Sequence, residues 1–224
     1  MAEDDVTLFG KLKNKLIDSK QKWAEEGRLL TGKTAAHSVR LPPGQRQVET
    51  WPVLDLGVQP EIPTHAWRLF VDGAVETPMT WKWGEFTDLP KTRLTSDIHC
   101  VTAWSRYDNK WEGVSACDLL ALVKPKADAR HVIFHSYDTY TTNVPLEEFA
   151  ADDVLLAWSW NGEPISREHG GPLRVVIPKL YFWKSAKWIK RVEFSAIDKP
   201  GFWEVRGYHN YGDPWLEQRY DEEA

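Results

Sequence analysis

Short apolar segments separated by turn residues recur along the chain, and they restrict its fold more than any other feature of the sequence. In residues 93–101, for example, Leu94, Ile98 and Cys100 share one parity and polar residues fill most of the other. Such alternation is typical of a half-buried strand. The predicted strands are residues 67–71, 93–101, 130–136, 154–160, 163–165, 173–177 and 188–194.

Turn residues indicate how these strands end. Asp72-Gly73 predicts a hairpin that returns through residues 74–75, and Asn161-Gly162 predicts a second hairpin that returns through residues 163–165. Residues 93–101 are predicted to end before Trp104-Ser105, with a turn at Asp108-Asn109.

Few segments predict helices. Residues 6–30 predict an amphipathic helix that packs on the body of the protein, because apolar residues recur there at helical spacing among lysines. Ser115 is the expected N-cap of a helix that runs to about Val123 with Leu119, Leu120 and Val123 directed inward. Cys117 in this helix is expected to have a packing role rather than a chemical one. Shorter helical segments are predicted at residues 83–89 and 145–150.

Irregularly spaced strands with few helices predict an α+β fold that is mostly β. We expect a single domain over residues 41–224, preceded by the helix and a linker over residues 1–40.

Charge and composition exclude several classes of protein. A net charge of −5 argues against a nucleic-acid binder, whose surface would be basic. The chain contains no apolar run long enough to span a membrane, and it begins with acidic residues that do not form a secretory signal. Two cysteines do not make a disulfide framework in 224 residues. These observations predict a cytoplasmic protein.

Cys100 is the first candidate for chemistry. It lies at the end of the predicted strand over residues 93–101, next to a polar loop, where a fold commonly presents groups that meet a ligand. The alternative is a buried structural cysteine, which is the commoner role of a cysteine in a strand.

A basic segment downstream is the second candidate. Residues 167–191 contain Glu168 as their single acid, against seven basic residues: Arg167, Arg174, Lys179, Lys184, Lys187, Lys190 and Arg191. A solvated strand face is the ordinary explanation for such a charge excess. A phosphate site is the other, because backbone amides, hydroxyls and cationic side chains bind phosphate through strong charge-assisted hydrogen bonds.

The thiol and the basic segment together suggest a metal that is held mainly by a phosphorylated organic cofactor. Thiolate suits a soft or thiophilic metal, and such a cofactor would need only one protein thiolate. No cysteine or histidine pair has zinc-finger spacing.

Several motifs resemble, in order and spacing, those of the molybdopterin-dependent oxidoreductases of the sulfite oxidase type. This family includes the catalytic subunits of bacterial protein-methionine-sulfoxide reductases. The resemblance runs from about Leu54 to Tyr220. The motifs are Cys-Val-x-x-Trp-Ser from Cys100, Trp-Glu-Gly-Val from Trp111, His-Gly-Gly-Pro-Leu-Arg from His169, Lys-Ser-Ala-Lys-Trp from Lys184, Gly-Phe-Trp-Glu from Gly201 and Gly-Tyr-His from Gly207.

The resemblance implies a fold, a cofactor and a set of site residues. It implies the mostly β molybdopterin-binding fold, one pyranopterin-molybdenum centre and no haem or flavin. Cys100 matches the family's molybdenum ligand. The positions that match pterin and phosphate contacts are Leu54, Asp55, Ser136, His169, Arg174, Ser185, Ala186 and Lys187.

One departure from the family bears on the substrate. Sulfite oxidases follow the ligand cysteine with Ala-Gly-Asn-Arg-Arg, whose second arginine helps to bind the anionic substrate. Ser105 takes that place here, and Arg106 comes one residue later as a second candidate catalytic residue. We therefore expect reduction of a sulfoxide or N-oxide rather than oxidation of sulfite.

The resemblance predicts an enzyme that transfers an oxygen atom to or from a small molecule and exchanges electrons with a separate partner. Two alternatives remain open. One is a non-catalytic binding module whose aromatic residues, including 13 tryptophans, form a groove. The other is a thiol enzyme in which His99, His135 or His169 activates Cys100.

Overall fold

The computed structural model describes residues 40–221 and, outside that range, Asp18. The helix predicted over residues 6–30 therefore lies outside the described residues, apart from Asp18.

Eleven strands in residues 40–221 form two sheets. The first sheet contains β1 (Arg46–Gln47), β4 (Thr92–Cys100), β5 (Trp104–Ser115), β8 (Leu155–Trp160), β9 (Glu163–Pro164) and β10 (Arg174–Val176). The second contains β2 (Arg68–Gly73), β3 (Met79–Lys82), β6 (His131–Ser136), β7 (Thr141–Pro145) and β11 (Ile189–Ser195), in the order β3-β2-β11-β6-β7. The mostly β, single-domain α+β architecture predicted from the sequence is confirmed.

Strand β5 organises the first sheet. It pairs antiparallel with β4 and with β8, and its first two residues pair parallel with β1. Strand β8 continues the sheet through antiparallel pairs with β10 and β9. In the second sheet, β11 is parallel to β2 and antiparallel to β6.

Three short helices connect the strands within the described range: α1 (Trp83–Thr87), α2 (Ala116–Val123) and α3 (Leu146–Phe149). The predicted cap of α2 is confirmed, because the Ser115 hydroxyl accepts a 3.0 Å hydrogen bond from the backbone N–H of Asp118. Leu119 and Val123 of this helix are buried. Cys117 was predicted to have a packing role rather than a chemical one, and the packing role is wrong because this cysteine is exposed.

The first sheet is buried on both faces, and strand alternation assigns its residues to two separate cores. Leu156 and Val175 belong to a large core shared with the second sheet and α2. Leu155, Ala157 and Val176 point the other way, into an aromatic-rich core that also contains Cys100, the tryptophans at 51, 104 and 111, Tyr181 and Tyr208. Cys100 is therefore on the face of the first sheet that is directed away from the second sheet.

The chain turns sooner after Cys100 than the sequence predicts. The predicted turn at Asp108-Asn109 is wrong, because β5 continues unbroken from Trp104 to Ser115. Asp108 does adopt a left-handed backbone conformation (φ 55°), opposite a register shift in β4 between Ser96 and Ile98. The Asp108-Asn109 pair thus marks a β-bulge. Bulges and turns favour the same residue types, which tolerate a left-handed backbone.

The hairpin predicted through Asp72-Gly73 is also wrong. Strand β2 pairs with β3 rather than with residues 74–75, and Val75 forms an isolated bridge with Pro125. The hairpin through Asn161-Gly162 is confirmed by the pairing of β8 with β9. No helix among the described residues is long and apolar enough to cross a membrane.

Candidate active site

A cleft on the aromatic-rich side of the first sheet brings most of the predicted site residues together. It contains about 930 Å³ of space between protein atoms, part of it continuous with solvent. Nine of the ten predicted site residues line it: Leu54, Asp55, Cys100, Ser136, His169, Arg174, Ser185, Ala186 and Lys187. These residues come from five separate segments of the chain, so the fold, rather than local sequence, assembles the cleft.

Cys100 lies on the turn between β4 and β5. The backbone N–H of Ala103 donates to the Cys100 carbonyl at 3.0 Å, and Ala103 adopts a left-handed conformation (φ 65°) that closes the turn. The thiol is 3.1 Å from the Thr102 hydroxyl, and only 6% of the residue is exposed. Burial raises the pKa of the Cys100 thiol, while the Thr102 hydrogen bonds and the charge of Arg219 act in the opposite direction.

His99 and Ser105, on either side of the turn, do not line the cleft. The His99 ring Nδ1 is 2.8 Å from the Ser105 hydroxyl, which donates to the Gln45 side-chain oxygen at 3.3 Å. Burial lowers the pKa of His99 to about 4, so this ring is neutral at neutral pH. Ser105 is fully buried in this network, so its hydroxyl is not a lining group of the cleft.

Arg106 is the predicted site residue that the structure does not bring to the cleft. Its guanidinium donates to the Glu49 carbonyl at 3.0 Å and to the Asn109 side chain, and it lies over the Trp160 ring at 4.8 Å. These contacts with Glu49, Asn109 and Trp160, rather than strand alternation, keep the guanidinium out of the cleft, because Arg106 has the same parity in β5 as the cleft residue Trp104.

Arg174 places a positive charge in the wall of the cleft. Its guanidinium donates to the carbonyls of His169 at 2.7 Å and Ser185 at 2.8 Å. The residue is 1% exposed, and among the described residues no carboxylate forms an ion pair with it. Burial lowers its pKa to about 9, which expresses the cost of holding a cation out of water with carbonyl oxygens but no carboxylate beside it.

The two basic motifs pack against each other at this wall. Gly170 has a left-handed conformation (φ 105°), and a Cβ there would lie 2.8 Å from the Lys187 Cβ. The Lys187 ammonium donates to the Glu168 carbonyl at 2.6 Å, and the Trp188 N–H donates to the Gly170 carbonyl at 3.1 Å. Glycine therefore allows the two segments to approach closely enough to place His169 and Lys187 in one wall.

Ser185 and Ala186 form the floor between these motifs. The Ser185 hydroxyl accepts from the Ile177 N–H at 2.9 Å, and Ala186 is 2% exposed. Opposite them, the Ser136 hydroxyl is buried without a hydrogen-bond partner among the described residues. An unsatisfied buried hydroxyl in the wall of a cleft is typical of a site that a polar ligand completes.

Aromatic rings form the remaining walls. Trp51 stacks on His169 with ring centroids 4.0 Å apart and planes inclined by 27°. Burial lowers the pKa of His169, so the stacked ring is neutral at neutral pH. Sequence reasoning did not assign individual roles to the other aromatic lining residues, which are Trp104, Tyr140, Phe182, Trp183, Trp188, Trp203 and Tyr208. Only the high tryptophan count indicated such walls.

Lys184 belongs to the basic run but not to the cleft. Its ammonium is completely buried, 2.6 Å from the Glu204 carboxylate, and it also donates to the Asn143 carbonyl at 2.9 Å. Burial lowers the pKa of Lys184, and Glu204 opposes that shift. The sequence prediction that this ammonium helps to form a phosphate site therefore does not match its surroundings.

One thiol and one buried cation thus line the same cleft. The described residues contain no group of three or more His, Cys, Asp or Glu side chains that could hold a metal ion. A flat, partly polar ligand with an anionic end would match the aromatic walls, the Ser136 hydroxyl and the Arg174 guanidinium.

Comparisons with known proteins point to such a ligand. The family described as "Oxidoreductase molybdopterin binding domain" matches residues 56–203. An uncharacterized oxidoreductase of Bacillus subtilis, YuiH, is 46% identical over 192 residues, which cover 84% of this chain and 97% of that protein.

More distant relatives carry specific names. The protein-methionine-sulfoxide reductase catalytic subunit MsrP of Ralstonia nicotianae is 27% identical over 164 residues, and the match covers 66% of this chain and 49% of MsrP. The crystal structure of the sulfane dehydrogenase SoxCD from Paracoccus pantotrophus matches with a TM-score of 0.59 at 22% identity, over 66% of this chain and 42% of that one. The structural match supports the fold alone.

Proposed function

The chain belongs to the oxidoreductase molybdopterin binding domain family, and we propose that it transfers an oxygen atom between a small substrate and a molybdenum centre ligated by Cys100. The observation that carries this proposal is the shared cleft, which is lined by the Cys100 thiol and by the Arg174 guanidinium, a cation without a carboxylate partner among the described residues.

The residues present fit a molybdenum-pterin cofactor. Arg174 is a buried cation without a carboxylate partner among the described residues, and Ser136 is a buried hydroxyl without a partner. A phosphorylated pterin would supply the negative charge for the first and a polar ring edge for the second. The single thiol also fits, because the pterin brings further metal ligands of its own.

Each part of the chain has a proposed task toward that cofactor. Cys100 would ligate the metal as a thiolate. The bound metal would keep the thiol deprotonated even though burial raises its pKa. Arg174, Lys187 and the backbone at Ser185 and Ala186 would bind the phosphate. His169, Leu54, Asp55 and Ser136 would contact the pterin. When bound, the cofactor supplies two-electron oxygen-atom transfer.

The walls near Cys100 favour a neutral substrate. Trp183, Trp203 and Tyr208 are apolar or amphipathic, and the basic lining residues in the described part of the cleft are Arg174 and Lys187. Neither Ser105 nor Arg106 supplies a guanidinium there. The charge of Arg219 acts on the Cys100 thiol, but its guanidinium is held at the Val101 carbonyl and over the Tyr181 ring and is not part of the lining. A sulfoxide or N-oxide needs no charge neutralisation, whereas sulfite is a dianion that does. We therefore assign the chain to sulfoxide or N-oxide reduction.

The thiol-enzyme alternative loses support from the geometry. The His99 ring bonds to Ser105, the His135 ring lies 2.9 Å from Glu193, and the His169 ring stacks on Trp51. Each ring thus has a partner other than the Cys100 thiol, whose pKa is raised rather than lowered.

Steady-state turnover tests the substrate assignment. With a reduced viologen as electron donor, the protein should reduce sulfoxides or N-oxides, and with an artificial acceptor it should oxidise sulfite weakly or not at all. A separate electron carrier takes the viologen's place in the cell. Sulfite turnover with a micromolar KM that collapses in Arg106→Ala would contradict the assignment.

A further inference from the structure

Backbone carbonyls of the Cys100 turn are held from outside by side chains that are remote in sequence. The Cys100 carbonyl accepts a 2.9 Å hydrogen bond from the Gln45 side-chain amide, 55 residues away. The next carbonyl, that of Val101, accepts from the Arg219 guanidinium, 118 residues away. The Ala103 carbonyl accepts from the backbone N–H of Arg46 at 3.2 Å. The turn is therefore fixed by three contacts from outside it.

Gln45 is oriented by both ends of its amide. The nitrogen donates to the Cys100 carbonyl, and the oxygen accepts from the Ser105 hydroxyl. The residue is 4% exposed, and the pairing of Arg46 with Trp104 ties the adjacent backbone to β5. Buried amides with both ends bonded have one orientation, so Gln45 is a rigid support.

The Arg219 guanidinium is also held in place, by contacts with Tyr181 and with the backbone at Gly44. Its guanidinium lies 5.2 Å from the Tyr181 ring centroid, and a Cβ at Gly44 would lie 3.1 Å from its Nη2. The Asp221 N–H donates to the Gly207 carbonyl at 3.0 Å, which anchors the chain just beyond Arg219. The two supports therefore adjoin each other, since Gly44 precedes Gln45.

We propose that Gln45 and Arg219 are positioning residues that fix the direction in which the Cys100 sulfur enters the cleft. The inference rests on the proposed function, because that direction becomes the direction of a metal–sulfur bond. The hydrogen bonds from Gln45 and Arg219 to the successive carbonyls of Cys100 and Val101 restrict the conformations that this turn can adopt. Partners that orient a metal ligand commonly affect affinity or activity about 10–100-fold.

Spectroscopy of the loaded protein is the first test. Gln45→Leu and Arg219→Ala should change the g-values of the Mo(V) electron paramagnetic resonance signal and lower kcat about 10-fold, with KM changed less than about 2-fold. Arg219→Lys retains a charged donor, so its g-values and its kcat should lie between those of Arg219→Ala and those of wild type. Gln47→Leu, from the exposed part of β1, and Arg130→Ala, whose guanidinium also donates to backbone carbonyls, are matched controls that should behave as wild type.

Alkylation of Cys100 tests the turn without the metal. In cofactor-free protein with a Cys117→Ser background, both variants should react with iodoacetamide faster than the parent, while melting temperatures show that the fold persists. Unchanged g-values together with unchanged alkylation rates in Gln45→Leu and Arg219→Ala, or in Gln45→Asn where Gln45→Leu does not fold, would overturn the inference. Wild-type protein that binds no molybdenum would contradict the proposed function instead. The alkylation rates, which need no cofactor, would then show alone whether Gln45 and Arg219 position Cys100.

Discussion

Arg174 and Lys184 are two basic residues of the same sequence run, both fully buried, yet their surroundings differ in kind. The Lys184 ammonium meets the Glu204 carboxylate at 2.6 Å, and Glu204 also accepts from the Thr142 hydroxyl and the Trp183 indole. The Arg174 guanidinium meets carbonyl oxygens and the rings of Phe182 and Trp51, and it lines the cleft. One charge is neutralised by the chain itself, and the other is not.

This difference separates a structural cation from one that is kept for a ligand. Burying a charge is costly unless an opposite charge or several hydrogen bonds compensate for it. Lys184 has that compensation within the protein. Arg174 has part of it, and a bound phosphate would complete it. We therefore expect substitutions at the two sites to affect different properties.

The largest effect should be on stability, at Lys184. Lys184→Met leaves the Glu204 carboxylate buried and uncompensated, which should lower the free energy of unfolding by about 3–5 kcal/mol. Denaturant titration of cofactor-free protein measures this. Lys184→Met combined with Glu204→Leu should recover much of the loss, because the pair is then removed together. A single variant as stable as wild type would show that this pair is not what stabilises the region.

The next effect should be on cofactor affinity, at Arg174. Arg174→Met removes a charge-assisted bond worth about 1.5–3 kcal/mol, which corresponds to roughly 10- to 100-fold weaker binding. Its cost to the cofactor-free protein should be smaller than that of Lys184→Met, because an uncompensated charge is removed. The measurements are pterin content after purification and denaturant titration.

Lys187→Ala should also weaken cofactor binding, but less than Arg174→Met does, because Lys187 is only partly buried. Lys190→Ala is the control, since Lys190 is exposed. Lys179 is less suitable, because its ammonium pairs with Glu148 at 2.6 Å. Equal pterin content in the Arg174, Lys187 and Lys190 variants would refute the phosphate assignment.

The smallest effect should be a pH dependence at His169, whose carbonyl supports Arg174. Burial lowers the pKa of this ring below its ordinary value of 6.5, so between the two values the unfolded chain binds more protons than the folded one. Stability should therefore fall as the pH drops below 6.5, by less than about 1.4 kcal/mol per unit of pKa shift. His169→Gln should flatten that fall in cofactor-free protein, and the exposed His65→Gln should not. If stability depended on pH in the same way in the His169→Gln and His65→Gln variants, His169 would not be the source of the fall.

The contrast between Arg174 and Lys184 is also where sequence reasoning reached its limit. Both residues lie in one basic run, and the partner that distinguishes them, Glu204, is 20 residues beyond Lys184. Strand alternation predicted seven of the eleven strands in residues 40–221, including those that carry Cys100 and Arg174, but it missed β1, β3, β5 and β7. It failed at Asp108-Asn109, because a bulge and a turn use the same residues.

The lining of the cleft was predicted in part, since nine of the ten predicted site residues line it and Arg106 does not. The roles of these residues toward a cofactor stay predictions. The aromatic walls were not predicted, because Trp51, Phe182 and Trp203 come from loops without periodicity. The supports at Gln45 and Arg219 depend on contacts across 55 and 118 residues that no local pattern indicates.

Metal and pterin analysis of the wild-type chain and of Cys100→Ser, both made in a host that synthesises molybdopterin, tests the central claim most directly. We expect about one molybdenum and one acid-released fluorescent pterin per wild-type chain, and loss of most or all activity in Cys100→Ser, because oxygen replaces the thiolate that suits the metal. Cys117→Ser, at the exposed cysteine, should match wild type. Wild-type protein that is free of metal and pterin but still turns over its substrate would contradict the account.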